Sequence, residues 1–390
     1  MEELHNLPVG NLALVGMRGC EELVSSIDSY LVNWRKAVVE KGLISNAILD
    51  NFNKDSYLID VRCPRFGTGE AKGMINESVR GDDLFIICDC FNHGVTYKMY
   101  GKDVPMSPDD HFQDLKRIIS ATAGKTRRIT VIMPMLYESR QHRRSARESL
   151  DCALALQELV NMGVHNILTF DAHDPRVQNA IPHASFETVP STYQMIKALV
   201  NNIDDLEIDR DNLMIISPDE GGMGRCIYYS SVMGIDLGMF YKRRDYSTIV
   251  NGRNPIIAHE FLGSDVDGKD VIIVDDMIAS GESTLDIARQ LKARNARRIF
   301  ACSTFGLFVD GLDAFDDAYE QGLIAKVFTT NAIYRTPELK QREWYCEVDI
   351  SKYIALIVNT LNHDRSISKL LDASERVKNF LTQKGYKIPR

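Results

Sequence analysis

The stretch Val271–Thr284 reads VIIVDDMIASGEST. Four apolar residues run into two adjacent aspartates, and a loop of small residues follows. Ala279, Ser280 and Gly281 let backbone N–H groups come close to an anion, and Ser283 and Thr284 add hydroxyl donors. A helix starting near Thr284 would aim its N-terminus at the same place, which makes a phosphate cradle. It is not a Walker A loop, because GxxxxGK[ST] needs a lysine that is absent. Asp275 and Asp276 could accept hydrogen bonds from sugar hydroxyls and help hold Mg2+ through water. Together these parts describe a site for a sugar 5-phosphate.

Two further apolar runs end in polar residues. NILTFD leads into Ala172, His173 and Asp174, and LMIIS leads into Pro218, Asp219, Glu220 and two glycines. A single such end is as easily a helix cap; three in one chain point to a site. Lys242-Arg243-Arg244 follows a short apolar run and reads either as a solvated turn or as cations that stabilise a transferring phosphoryl group. ESRQHRRSAR (138–147) is either a helix start on the surface or, with five basic side chains counting His142, a polyphosphate holder.

These residues sit at the ends of elements that alternate regularly. Strands are expected at 12–16, 84–90, 129–134, 166–171, 213–219, 271–276 and 298–306. Helices are expected from after residue 16 to about Lys41 and at 111–124, 149–163, 192–203, 225–234, 284–296 and 350–362. Near-continuous apolar strands separated by helices predict parallel sheets covered on both faces. In such sheets ligands bind beyond the carboxyl ends of the strands, where the acids lie. The domain boundary is expected near 184–192, in HASFETVPS. Residues 91–113, rich in Gly, Pro, Asp and His, read as a long loop or inserted excursion.

The chain has 390 residues, 44% hydrophobic and 26% charged, an ordinary globular composition whose length suits two domains. Its net charge of -8 argues against nucleic acid as a partner, and its local basic clusters favour small anionic ligands. No apolar run is long enough to span a bilayer, and the acidic start MEELHNLPVG lacks signal-peptide character, so no membrane partner and a cytoplasmic location are expected. The eight cysteines include no CxxC pair and read as free thiols in a reducing compartment.

VIIVDDMIASGEST resembles the ribose 5-phosphate loop of the type I phosphoribosyltransferases. RFGTGEAKGMINESVRG (65–81), SRQHRR (139–144), FDAHD (170–174), SPDEGG (217–222), YKRR (241–244) and RSISKLL (365–371) narrow this. In this order they resemble the ribose-phosphate pyrophosphokinase family over nearly the whole chain. The resemblance implies an α/β fold of two phosphoribosyltransferase-like domains, each a mostly parallel sheet flanked by helices. It suggests domains at 1–186 and 187–362, with 363–390 packed on the first. The family transfers the diphosphate of ATP to the C1 hydroxyl of ribose 5-phosphate, giving 5-phosphoribosyl 1-diphosphate and AMP. It commonly forms hexamers built from dimers, so a homo-oligomer is expected.

The resemblance also implies roles. Asp275 and Asp276 would bind ribose hydroxyls, and Ser280, Gly281, Glu282, Ser283 and Thr284 the 5-phosphate. His173 and Asp219 would hold the Mg2+ that accompanies ATP. Phe66 and Glu70 would meet adenine, and Arg140 and Gln141 would contact the nucleotide with help from a neighbouring subunit's Phe66 segment. Lys242 and Arg244 would be catalytic, on a mobile loop from Tyr246 to Gly263. Arg80, Ser366 and Ser368 match a regulatory phosphate site. Thr68 and His142 stand where the family usually carries acids, which bears on nucleotide preference. Ala279 and Glu282 stand where it usually has Asp and Gly. A non-catalytic regulatory paralogue is one alternative, set against by the retained Lys242-Arg243-Arg244. A phosphoribosyltransferase that consumes the diphosphate is another, and would not need SRQHRR or FDAHD.

Overall fold

The computed structural model describes residues 7–42, 49–244 and 256–386. Two compact units divide the chain: Met1–Pro190 with Asn331–Tyr334 and Asp349–Leu371, and Ser191–Thr330 with Arg335–Val348 and Asp372–Arg390.

In the first unit the order is β1 (Asn11–Gly16), α1 (Glu21–Glu40), α2 (Leu49–Phe52), β2 (Val61–Arg62), β3 (Met74–Ile75), β4 (Asp82–Ile87), β5 (Thr96–Met99), β6 (Lys102–Pro105), α3 (Pro108–Ala121), β7 (Arg128–Ile132), α4 (Asp151–Asn161), β8 (Asn166–Phe170) and β9 (Ser185–Val189). The main sheet runs β1-β4-β7-β8-β9 and is parallel throughout. β4 is buried along its whole length, as a central strand covered on both faces must be. Ile86, Val131 and Ile167 meet α3 and α4 through Leu115, Ile118 and Leu156 in one apolar cluster. α3 starts on Ser107, whose hydroxyl accepts from the Asp110 N–H while the Asp110 carboxylate accepts from the Ser107 N–H. Such a capping box satisfies donors that a helix start otherwise leaves open.

The second unit contains α5 (Thr192–Asn202), β10 (Leu213–Ser217), α6 (Met223–Met233), β11 (Asp236–Arg244), β12 (Ile256–Leu262), β13 (Asp270–Ile278), α7 (Glu282–Lys292), β14 (Ile299–Gly306), α8 (Asp313–Glu320), β15 (Lys326–Thr330) and β16 (Tyr345–Val348). The sheet order is β12-β11-β10-β13-β14-β15-β16, parallel except for the antiparallel pair β11 and β12. Apolar side chains cover both of its faces: Ile215, Ile272 and Phe300 on one, Ile216, Ile273 and Ala301 on the other. At the start of β13 the buried Asp270 accepts from Arg297 at 2.7 Å and Arg298 at 2.7 Å. Burial alone would raise its pKa, but the two guanidiniums outweigh that and hold it low.

The chain closes with α9 (Ser351–Asn362), α10 (Ser368–Leu371) and α11 (Ser374–Gln383). α9 belongs to the first unit. Arg35 of α1, 1% exposed, donates to Asn362 Oδ1 at 2.6 Å, and Arg128 donates to the Leu361 carbonyl at 2.6 Å. α11 belongs to the second unit and packs Val377 and Leu381 with α5 and α6. The resemblance suggested 187–362 for the second domain and 363–390 on the first; α9 and the segment through Leu371 group with the first unit, and Asp372 onward with the second.

Two other readings sharpen. SFETV (185–189) forms β9, in register with β8, and the division after Pro190 falls within the expected 184–192. Residues 91–113, read as a long loop or inserted excursion, hold the β5–β6 hairpin and the start of α3. The eight cysteines form no disulfide, and Cys88 and Cys90 keep their sulfurs 3.7 Å apart. Among the described residues no helix is long and apolar enough to cross a membrane.

Candidate active site

In the second unit β13 does not stop at the acids but continues to Ile278, with Asp275 opposite Ser303 and Ile278 opposite Gly306 on β14. The paired strand fixes where the loop starts. Gly281 then caps α7 with φ 89°, in the left-handed region. A Cβ there would lie 2.2 Å from the Phe315 ring, so only glycine fits. α7 begins at Glu282, two residues before the expected start, and its first turn directs backbone N–H groups into the loop. Thr284 is buried, while Glu282 and Ser283 are exposed.

Asp276 is buried at 5% exposure, and its N–H donates to Asp275 Oδ1 at 2.8 Å. Burial and the neighbouring Asp276 charge push the Asp275 pKa up to about 8. Arg225 of α6, its Nη1 4.0 Å from Asp275 Oδ1, partly offsets this. Sequence reading missed Arg225, which lies inside an apolar helix; only the placement of α6 over β13 reveals it. Asp219 closes the turn after β10, its Oδ1 accepting from the Gly222 N–H at 3.1 Å and its carbonyl from Ser217 Oγ at 2.7 Å.

The raised Asp275 has a stability consequence. Its carboxyl stays protonated in the folded chain up to about pH 8, but in the unfolded chain only up to about pH 4. Folding therefore loses stability as pH rises through that window, and the cost is complete above pH 8. Asp275→Asn is expected to raise Tm of the ligand-free protein at pH 9 by about 2 °C and leave it unchanged at pH 4. Calorimetry at the two pH values checks this; equal destabilisation at both would contradict it.

Lys242 and Arg244 end β11, where the backbone pairs with β12: Lys242 lies opposite His259, and a register shift falls between Arg243 and Arg244. Of the loop expected between Tyr246 and Gly263, residues 246–255 lie outside the described residues. Ile256–Leu262 is strand β12 rather than loop.

In the first unit, Phe66–Glu70 forms the tip of the β2–β3 hairpin. The Phe66 N–H donates to the Glu70 carbonyl at 2.7 Å, and Thr68 Oγ1 donates to the Glu70 carboxylate at 3.0 Å. Phe66 is 55% exposed. Arg140 is exposed, and Gln141 is tied by its amide to the Ser149 carbonyl at 2.9 Å. His173 is exposed beyond β8, its ring 5.4 Å from that of His142. His142 Nε2 lies 3.5 Å from Asp174 Oδ2. Bonding to Arg176 brings the Asp174 pKa down to about 2. His142 therefore faces a carboxylate of its own rather than adding a second acid. Ser366 and Ser368 pair through their hydroxyls at 2.9 Å, and Arg80 is exposed and bonds to neither. A cavity of about 310 Å³ lined by Arg18, Glu21, Arg62, His111 and Asp114 contains none of the expected residues.

Among the described residues no group of three His, Cys, Asp or Glu side chains encloses a metal. The side chains of Asp219, Asp275 and Asp276, at strand ends of the second unit, are hard oxygen donors of the kind a divalent cation takes.

A mostly parallel sheet whose strand β13 carries an acidic pair toward a glycine-capped helix is the arrangement of the phosphoribosyltransferase class of fold. The sequence profile of the N-terminal domain of ribose phosphate pyrophosphokinase matches residues 12–163, and that of the phosphoribosyl transferase domain matches residues 184–312. Ribose-phosphate pyrophosphokinase of Vibrio parahaemolyticus is 28% identical over 317 residues, covering 80% of this chain and 91% of the relative. That of Haemophilus ducreyi is 29% identical over 315 residues, covering 79% and 90%. The crystal structure of phosphoribosylpyrophosphate synthetase from Mycobacterium smegmatis superposes with a TM-score of 0.71 at 20% identity, covering 91% of this chain and 99% of that one. The chain belongs to the ribose-phosphate pyrophosphokinase family of enzymes.

Proposed function

We propose that the protein is a ribose-phosphate diphosphokinase that moves the diphosphate of Mg-ATP to the C1 hydroxyl of ribose 5-phosphate, releasing AMP. The β13–α7 junction, where an acidic pair runs into a glycine-capped helix start, supports the ribose 5-phosphate site, and the match of residues 12–163 to the N-terminal domain of ribose phosphate pyrophosphokinase carries the diphosphokinase reading. Asp275 and Asp276 take the ribose hydroxyls; Ser280 to Thr284 and the first N–H groups of α7 take the 5-phosphate. Phe66, Glu70, Arg140, Gln141 and His173 serve ATP. His173 and Asp219 would hold the Mg2+, which when bound would neutralise charge on the phosphate chain. Lys242 and Arg244 stabilise the charge that develops on the transferring group, so the protein contributes positioning and electrostatics rather than a covalent intermediate. The protein acts as a homo-oligomer built from dimers.

The test is purified protein with ATP, Mg2+ and ribose 5-phosphate. AMP and the phosphoribosyl diphosphate are expected in equal amounts. AMP at background sinks the proposal and favours a non-catalytic paralogue. Consumption of added phosphoribosyl diphosphate by a base, without dependence on ATP, favours a phosphoribosyltransferase. A monomer by light scattering contradicts the assembly.

A further inference from the structure

The β5–β6 hairpin touches the segment assigned to the nucleotide base, tip against tip. The Tyr100 N–H donates to the Gly67 carbonyl at 2.8 Å. The Tyr97 ring lies under the Arg65 guanidinium, 4.6 Å from centroid to carbon. Arg65 is anchored in turn by Asp114 at 2.8 Å, with both side chains nearly buried. Gly69, at φ 97°, lies so close to the Met99 sulfur that an added Cβ would be 2.9 Å from it. The Phe66–Glu70 loop thus rests on this hairpin rather than standing free.

The hairpin tip carries an anomaly. Tyr100 and Gly101 both have positive φ, 50° and 77°, as a two-residue type I′ turn requires. That turn favours Asn or Gly at its first position, and a bulky residue there is strained. Tyr100 is nonetheless 76% exposed, so packing does not explain it. Phe66 and Tyr100 are the two Phe, Tyr or Trp side chains in the exposed class among the described residues, and they occupy adjoining tips. Two exposed rings on bonded, buttressed loops offer flat faces to a base.

We infer that Tyr100 is a second aromatic contact for the nucleotide base, and that the β5–β6 hairpin is the platform that holds the Phe66 loop for it. This rests on the assignment of Phe66 to the base.

Tyr100→Asn makes an Asn-Gly turn, which suits type I′ and keeps the backbone donor, so misfolding does not confuse the result. Loss of a stacking ring is expected to raise KM for ATP about tenfold. KM for ribose 5-phosphate should hold, kcat should change far less, and Tm should hold or rise. Tyr100→Phe should restore KM. The inhibition constant of inorganic tripolyphosphate, which has no base, should not move. Tyr97→Leu should raise KM for ATP in the same way and Tyr97→Phe should not, since the ring and not the hydroxyl supports Arg65. Tyr100→Asn with unchanged KM for ATP overturns the inference. If Phe66→Ala then still raises KM, the assignment of Phe66 stands; if neither variant does, that assignment fails as well. Equal rises for both substrates with a change in sedimentation would put the ring at a subunit contact and also overturn it.

Discussion

Gly281→Ala is expected to cost about 3 kcal/mol of stability and to raise KM for ribose 5-phosphate at least about 10²-fold. Two effects add. An alanine at φ 89° pays the left-handed penalty, about 1 kcal/mol. Its Cβ would also lie 2.2 Å from the Phe315 ring. That ring cannot give way, because it stacks on Trp344 at 5.4 Å between centroids and meets Phe308 edge-on at 5.2 Å. The backbone at the loop must therefore move, and the N–H groups proposed to take the 5-phosphate move with it. Thermal unfolding and initial rates against ribose 5-phosphate check both parts. Phe315→Leu in the alanine background should recover part of the stability by making room, but not the share due to φ. Unaltered Tm and KM in Gly281→Ala would remove the β13–α7 junction from the site.

Lys242→Ala is expected to lower kcat at least about 10²-fold while KM for both substrates changes little. A 10²-fold loss corresponds to about 2.7 kcal/mol of transition-state stabilisation, in the range for one donor aimed at developing charge. Attack of a secondary hydroxyl on a polyphosphate concentrates charge between the incoming oxygen and the departing AMP, so a cation there helps the transition state more than the ground state. Arg244→Ala should act in the same direction, and the double variant should lose less than the two separate losses combined. Steady-state kinetics with both substrates varied decides it. An effect confined to KM would make Lys242 a binding residue instead.

The sequence by itself determined the alternation of strands and helices, because continuous apolar runs such as VIIV and LMIIS have few places to go except buried parallel strands. It also determined the acidic pair, the small loop and the basic run, since those depend on residue type and short spacing. Even the need for glycine at 281 was visible only as smallness: its left-handed φ and the Phe315 ring come from elsewhere in the chain.

Contacts between distant residues decided the rest. SFETV is short and has no clean alternation of polar and apolar residues, so only its pairing with β8 reveals it as an edge strand. α9 has an amphipathic pattern that would suit either unit; the Arg35–Asn362 hydrogen bond, 327 residues apart in sequence, assigns it to the first. The strands of 96–105 are four residues each and mostly exposed, too short to carry a pattern, yet they form the support of the Phe66 loop. Arg225 and the raised carboxyl of Asp275 likewise exist only once α6 lies over β13, because burial and charge proximity are properties of the packed unit and not of any local stretch.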